Sequence, residues 1–321
     1  MSKKHILIAS SSLDYLNFEL VAKLLTQRGF KVIVYEPDAI ARGERKINVH
    51  LSTKGVIQVT YDGQILALEN IGAAWYRRPG FYGPTKDRLR WLSIAHTYQH
   101  LERAIWKLLP SDVWLNDPRI MADSGEKLTQ FAAAARVGFT ILETTTTNSW
   151  DDVEALSGDK LIVKLGEQVT LPSVDGDKYF PTSVLTKATL PKQVSPYPGL
   201  WQPYAPKKRE WRITVVGDKL FSAAIYTDKD AKDDWRQHTF SKRVQFKAES
   251  FPEDLQQKCI ALLKELDLRY GAFDFIETPD GEIIFLEVNA NGQFMWLERD
   301  LGFPISEAIA DELVRIAGGS K

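Results

Sequence analysis

Residues 270–294, YGAFDFIETPDGEIIFLEVNANGQF, constrain this chain more than any other stretch. Aromatic and β-branched runs (Phe273, Phe275 and Ile276; Ile283, Ile284, Phe285 and Val288) flank Thr278-Pro279-Asp280-Gly281, where proline presets φ and glycine accepts a positive φ. The pattern predicts a β-hairpin. If Asp280-Gly281 is a two-residue loop, Asp274 lies directly opposite Glu287. A four-residue loop from Thr278 to Gly281 instead sets Asp274 opposite Phe285, with Glu287 as its diagonal neighbour. Both registers put the two carboxylates on one face, and Asn289 joins them because side chains alternate along a strand. A three-residue loop with a bulge would break this parity. The other face is expected to carry Phe273, Phe275, Ile284, Leu286 and Val288 into the core.

Two carboxylates held together repel unless a cation or a proton sits between them. Hard oxygen ligands with an amide oxygen suit Mg²⁺, which keeps waters and substrate phosphates as its remaining ligands, so Asp274, Glu287 and Asn289 point toward a nucleotide. The competing reading is an ordinary solvated face on an amphipathic hairpin, and the trio alone does not decide between them.

With 321 residues the chain is long enough for a large core divided into two or three subdomains. A net charge of −1 gives no argument for a nucleic-acid or membrane partner. No apolar run approaches membrane-spanning length. The single Cys259 excludes an intrachain disulfide, and MSKKHILIAS leads into an apolar strand without a signal-peptide core, so the cytoplasm is the expected compartment. Cys259 falls on the apolar stripe Leu255, Cys259, Leu262, Leu263 and Leu266, which predicts burial rather than catalysis. His96 and His100 have helical i, i+4 spacing but no evident third ligand for zinc.

The order of patterns predicts an α/β (α+β) chain. HILIAS, an amphipathic helix from Leu16 to Gln27, Gly29 as its stop and FKVIVYE form a βαβ start without GxGxxG, so no dinucleotide is inferred. Ser10-Ser11-Ser12 reads as a loop and helix cap. VIQVTYDGQILAL predicts a hairpin around Asp62-Gly63, IGAAWYRR a short buried strand, and residues 85–109 a helix. The first subdomain is expected to end near Asn116-Asp117-Pro118. SGEKLTQFAAAARVGF then reads as a helix capped by Ser124 and stopped by Gly138, followed by the strand-like TILETTTT. In DKLIVKLGEQ, Lys164 sits on an otherwise apolar strand. That placement costs desolvation unless an anion meets the ammonium or the lysine lies on the strand's exposed face.

Residues 166–199 are polar and Pro-bearing, as strands and loops of a lid would be. LWQPYAPKKREWRITVVGDKLFSAAIY reads as strand, connector and a long hairpin around Gly217-Asp218. The connector joins an apolar stretch, Trp201 to Ala205, to the charges of Lys207, Lys208, Arg209, Glu210 and Arg212. A base could sit against the first part, while ribose and phosphates would need the second.

With WYRRP at 75–79, WLNDP at 114–118, the EKLTQFAAAARVGF helix, LIVKLG, WQPYAPKKREWRITVVGDK, DWR at 234–236 and FDF with FLEVNANGQFMWLE, the chain resembles the ATP-grasp ligases. Within them it is similar to the microviridin-type peptide maturases, or graspetide synthetases, relatives of the ribosomal-protein glutamate ligases. The resemblance implies an N-terminal pre-ATP-grasp α/β domain (1–118), a central lid subdomain (119–200) and a C-terminal ATP-grasp subdomain (201–321). It implies ATP and Mg²⁺ as cofactors, with Lys127 and Lys164 near the phosphates or nucleotide pocket, Gln202, Tyr204 and Ala205 on the adenine and Glu210 on the ribose. Asp274, Glu287 and Asn289 would hold the metal, Arg212 and Arg236 would neutralise the transferred phosphate, and Asn291 and Gln293 would orient ligands or substrate. The implied partner is a ribosomal precursor peptide with leader and core, acted on by a homodimer that makes ω-ester or ω-amide crosslinks. Ligation of an amino acid to a peptide, protein or metabolite, and an inactive ATP-binding scaffold, are the alternatives. The sequence departs from the family in the lid, where GEQVTLPSVDGDKYF holds only Gly166 and Gly176.

Overall fold

The apolar run HILIA has no polar face, and the computed structural model shows why. It describes residues 5–80, 88–164, 170–171, 178–179, 183–190, 198–227 and 244–318. β1 (His5–Ala9) is the middle strand of a three-stranded parallel sheet in the order β2-β1-β6. Helix α1 (Tyr15–Gln27), β2 (Lys31–Tyr35), α2 (Pro37–Ala41), a small antiparallel sheet of β3 (Ile47–Leu51), β4 (Ile57–Tyr61) and β5 (Gln64–Ile65), then β6 (Ile71–Tyr76) and α3 (Arg88–Trp106) complete this unit. Ile6 and Ile8 pack with Phe18, Val21 and Leu25 of α1, whereas Leu7 and Ala9 pack with Tyr35, Trp106 and Trp114 on the opposite face. Covering both faces of a parallel sheet is what makes its strands apolar throughout. The turn at Asp62-Gly63 has φ of 50° and 78°, the paired left-handed geometry that a two-residue hairpin loop requires.

The middle of the chain runs through α4 (Pro118–Ser124), α5 (Lys127–Arg136), β7 (Thr145–Thr147), α6 (Trp150–Ala155), β8 (Lys160–Lys164), β9 (Thr170–Leu171), β10 (Lys178–Tyr179), β11 (Ser183–Thr186) and β12 (Gly199–Pro203). Its principal sheet has the order β11-β8-β12-β7. Two expectations change here. Ser124 does not cap the alanine-rich helix: it ends α4 with its hydroxyl on the Met121 carbonyl, and α5 starts separately at Lys127. Of the stretch from Thr140 to Thr147 only Thr145–Thr147 is strand, while Thr140 makes an isolated bridge to Ile284. The expected boundary at 200/201 falls inside β12, so the sheet itself runs on to Pro203. Most of the predicted lid, 166–199, lies outside the described residues, as does Arg236.

The last third forms a five-stranded antiparallel sheet in the order β15-β14-β13-β16-β17. Its elements are β13 (Arg209–Val216), β14 (Lys219–Thr227), β15 (Val244–Ala248), α7 (Glu253–Glu265), β16 (Tyr270–Glu277), β17 (Ile283–Asn289), α8 (Met295–Leu301) and α9 (Ile305–Ile316). α5 and α7 cover one face of this sheet, where Trp211, Ile213, Val215, Phe273, Phe275, Phe285 and Val288 are buried together. Cys259 lies in that cluster with 0 % exposure, and burial pushes its thiol pKa up, which removes it as a nucleophile. α9 returns to pack beside α1, so both ends of the chain share one core. His96 and His100 stack edge to face at 4.5 Å, and among the described residues no cluster of three His, Cys, Asp or Glu side chains forms.

Within the first unit, Glu102 of α3 is only 3 % exposed against an aromatic wall that includes Tyr35. Burial raises its pKa to about 8, with the Tyr35 hydroxyl partly opposing. The folded chain therefore retains a proton that the unfolded chain releases near 4.5, so stability falls as pH rises between about 4.5 and about 8. Glu102→Gln should melt with the parent at about pH 5 and above it at about pH 9. Thermal melts at the two pH values check the sign, and a parent that gains on the variant with rising pH would contradict it.

Candidate active site

The predicted hairpin forms, but by a different route. Thr278 and Glu282 pair across a three-residue loop in which Gly281 has φ of 91°, the case expected to break parity. A second irregularity restores it. Phe275 pairs with Phe285, whereas Asp274 pairs with Glu287 and Ala272 with Asn289, leaving Leu286 as an extra residue. Asp274, Glu287 and Asn289 consequently share a face. The same slip corrects the predicted core face. Phe285 joins Phe273, Phe275 and Val288 in the core, Leu286 is half-buried, and Ile284 is buried outside that cluster.

Alternation along β13 brings further chemistry to the same face, because Arg212 pairs with Asp274 and Glu210 with Ile276. Arg212 Nε lies 3.0 Å from Asp274 Oδ1, and both side chains are about nine-tenths buried. Neither Nε nor Nη1 of Arg212 completes a hydrogen bond, so donors of a buried guanidinium stay available for an anion. Lys127, at the start of α5, reaches Glu287 Oε2, while Asn289 Nδ2 donates to Glu287 Oε1 at 2.9 Å. Both carboxylates are thus held by protein cations, and the Asn289 amide oxygen belongs to the same cluster. Two hard carboxylates, an amide oxygen and a buried arginine fit a divalent cation carrying phosphate.

The central sheet supplies the opposing surface. Lys164 pairs with Leu200 and Ile162 with Gln202, so Lys164 and Gln202 share a face. Leu200 on that face belongs to the core of the five-stranded sheet, which turns Lys164 and Gln202 toward it. Leu161 and Trp201 on the other face pack against α6. Gln202 is buried and donates from Nε2 to Thr144 Oγ1 at 2.9 Å. The chain then leaves β12 through Tyr204 and Ala205, with the Tyr204 amide on the Lys160 carbonyl at 2.9 Å, and enters β13 at Arg209. Glu210, at the start of β13, accepts from Lys207 Nζ at 2.6 Å. The connector thus joins the central sheet to the five-stranded sheet, with Tyr204 and Ala205 half-buried and the Lys207–Glu210 pair following them.

Several residues that hold this arrangement were not predicted to have roles. Asn116 makes four hydrogen bonds: Nδ2 to the carbonyls of Tyr270 and Ala290, and Oδ1 from the amides of Arg269 and Tyr270. It thereby fixes the start of β16 to the turn after β17. Gln130 of α5 bonds both the amide and the carbonyl of Val288, covering the outer edge of β17 as another strand would. Arg77, 1 % exposed, spans the two units: Nε stands 3.1 Å from Asp14, and Nη1 donates to the carbonyls of Asn291 and Gly292. Burial lowers the Arg77 pKa and raises that of Asp14, and each group's charge opposes the other's shift. Asn116 and Arg77 lie in WLNDP and WYRRP, where a polar side chain inside an apolar run was the available signal.

Comparison with known proteins then shows what the chain is similar to. No protein-family model matches the chain, and no curated protein matches it. Solved structures do. The macrocyclase MdnC of Microcystis aeruginosa MRC, bound with precursor peptide MdnA, is 28% identical with a TM-score of 0.81, covering 97% of this chain and 99% of that one. A Chryseobacterium gregarium RiPP-associated ATP-grasp ligase, in complex with ADP and a leader and core peptide, is 25% identical with a TM-score of 0.83, covering 97% of each chain. The macrocyclase MdnB of Microcystis aeruginosa MRC is 27% identical with a TM-score of 0.75, covering 97% of this chain and 99% of that one. Over nearly its whole length the chain shares the fold of graspetide-type ATP-grasp ligases and is similar to them in sequence.

In this ligase, Gly292 connects the floor of the site to the first unit. A Cβ there would lie 2.3 Å from the Ala272 Cβ and 3.4 Å from Arg212 Nη1. Gly292→Ala must therefore move the turn after Asn289 away from Ala272. We expect turnover to fall roughly a hundredfold, the scale of an ångström-sized misplacement, with the far-UV circular dichroism spectrum retained. Parent-like turnover would show that this close approach is not needed.

Proposed function

We propose that the ligase uses ATP and Mg²⁺ to activate a side-chain carboxylate of a ribosomal precursor peptide, then joins it to a side-chain hydroxyl or amine as an ω-ester or ω-amide. The observation that carries this reading is the shared sheet face of Asp274, Glu287, Asn289 and Arg212, with Lys164 and Gln202 together on one face of the central sheet. The relatives described above, one bound with a precursor peptide and one with ADP and a leader and core peptide, supply the substrate class.

The carboxylate oxygen of the peptide attacks the γ-phosphorus of ATP, giving an acyl-phosphate and ADP. A hydroxyl or amine of the same peptide then attacks the acyl carbon, expelling phosphate and losing its proton. Asp274, Glu287 and Asn289 would hold Mg²⁺, which supplies charge neutralisation at the phosphate oxygens when bound. Arg212 donates to the oxygens that gain negative charge, and Lys164 approaches the phosphates from the central sheet. Lys127 would exchange its Glu287 partner for phosphate. Gln202, Tyr204 and Ala205 would bind the base, Glu210 the ribose, and Arg236 would join Arg212 on the acyl-phosphate. Asn291 and Gln293 would orient the peptide.

The proposal includes a homodimer, implied by the resemblance, and action in the cytoplasm, where the lone Cys259 is in keeping with a reducing compartment. Among the described residues no helix is long and apolar enough to cross a membrane.

The test uses the precursor peptide encoded beside the ligase gene. The ligase should release ADP and phosphate and lower the peptide mass by about one water per bond formed. Asp274→Asn keeps a hydrogen-bonding group beside Arg212 and should abolish turnover without loss of fold. Undiminished turnover would remove Asp274 from the site, and a gain of one amino-acid mass would replace crosslinking with amino-acid ligation.

A further inference from the structure

Three arginines from two units influence the same buried phenol. Burial drives the Tyr270 hydroxyl up to about 12, and Arg77, Arg212 and Arg78 each act to lower it. Two of the three already face protein partners. Arg77 is held by Asp14 and the carbonyls of Asn291 and Gly292, and Arg212 stands against Asp274. Arg78 differs: it is exposed, and among the described residues no carboxylate or carbonyl is bonded to its guanidinium. Its φ of 48° turns the chain immediately after the buried Arg77.

The location favours a ligand. β1 lies between β2 and β6, and the crevice beyond the C-terminal ends of such parallel strands is where open α/β sheets take ligands. Arg78 stands at this end of β6. Arg77, its neighbour, fixes the same end of the sheet to Asn291 and Gly292, directly after the Asn289 of the metal trio. Among the described residues Asp14 faces the pair from α1's approach; it is ion-paired with Arg77 and lies in the field of Arg78 without bonding it. Among the described residues the junction therefore keeps a guanidinium with no bonded partner at Arg78.

A peptide carboxylate must approach a floor that already holds Asp274 and Glu287 and will hold ATP phosphates. Each of those anions repels it, so its docking requires a cation that the floor has not used. We propose that Arg78 receives the acidic side chain of the peptide at the mouth of the site and sets the preference for Asp or Glu in the core. This inference rests on the peptide-ligase reading above.

The test uses the whole ligase and its acidic precursor, fluorescently labelled. ADP release by the unmodified ligase is measured first, and its absence overturns the reading on which Arg78 depends. Arg78→Gly removes the guanidinium while suiting the left-handed backbone, so misfolding does not mimic the effect. It should raise the peptide KM about tenfold with kcat changed less than about twofold, and Arg78→Lys should recover most of the loss. A precursor with every core Asp and Glu replaced by Asn and Gln should bind the parent about tenfold more weakly in the absence of ATP, yet bind Arg78→Gly no worse than the acidic peptide does. An unchanged peptide KM in Arg78→Gly, or losses from the two changes that simply multiply, would overturn the assignment.

Discussion

Everything at the site depends on the extra residue that β17 carries at Leu286. Counted from the loop, an unbroken ladder would set Leu286 opposite Asp274 and send Glu287 and Asn289 toward the Phe273 and Phe275 side. There a carboxylate would replace Val288 among buried aromatic rings, at a cost of several kcal/mol. The hydrophobic pattern forbids that arrangement, since Phe285 and Val288 are both core residues three positions apart. Three positions are compatible with one strand face only if a residue is bulged out. The bulge is therefore the solution that buries both apolar side chains and keeps both polar ones on the working face.

That solution creates an electrostatic problem which neighbouring elements solve. Asp274 and Glu287 are directly opposed, and like charges across a ladder repel. Arg212 answers Asp274 from the adjacent strand, and Lys127 answers Glu287 from the helix over the sheet edge. Neither pairing is indifferent to phosphate: both cations are chemically suited to it, and their carboxylate partners are suited to a metal. The ion pairs that keep the floor stable without nucleotide are composed of the groups that would bind nucleotide. Asn116, Arg77 and Gly292 then fix the floor to the parallel sheet through the tightly packed turn that follows Asn289.

Much of this was legible in the sequence, because period-two and period-3.6 patterns act locally. The βαβ start, the Asp62-Gly63 hairpin and the burial of Cys259 all follow from such patterns; the shared face of Asp274 and Glu287, though expected, arises from the bulge and from neither expected register. The loop register did not, since Thr278-Pro279-Asp280-Gly281 is compatible with several loop lengths and only the packing of Phe285 selects one. Ser124 misled for a related reason: a serine before a helical run suits an N-cap, but here it terminates the preceding helix. The roles of Asn116, Gln130 and Arg77 were hidden because each satisfies backbone groups between 150 and 220 positions away in the chain, roughly, which no local period encodes. Lys164 and Gln202 were identified one at a time, but their common face came only from the pairing of β8 with β12.

The proposed function makes the face bearing Asp274, Glu287 and Asn289 a metal-dependent nucleotide floor. The most direct measurement is calorimetric titration of ADP into the parent and into Glu287→Gln, each with and without Mg²⁺. Mg²⁺ should tighten ADP binding to the parent by about tenfold or more, on the order of 1.4 kcal/mol, and Glu287→Gln should lose this enhancement while still binding ADP. Equal enhancement by Mg²⁺ in both proteins would contradict it.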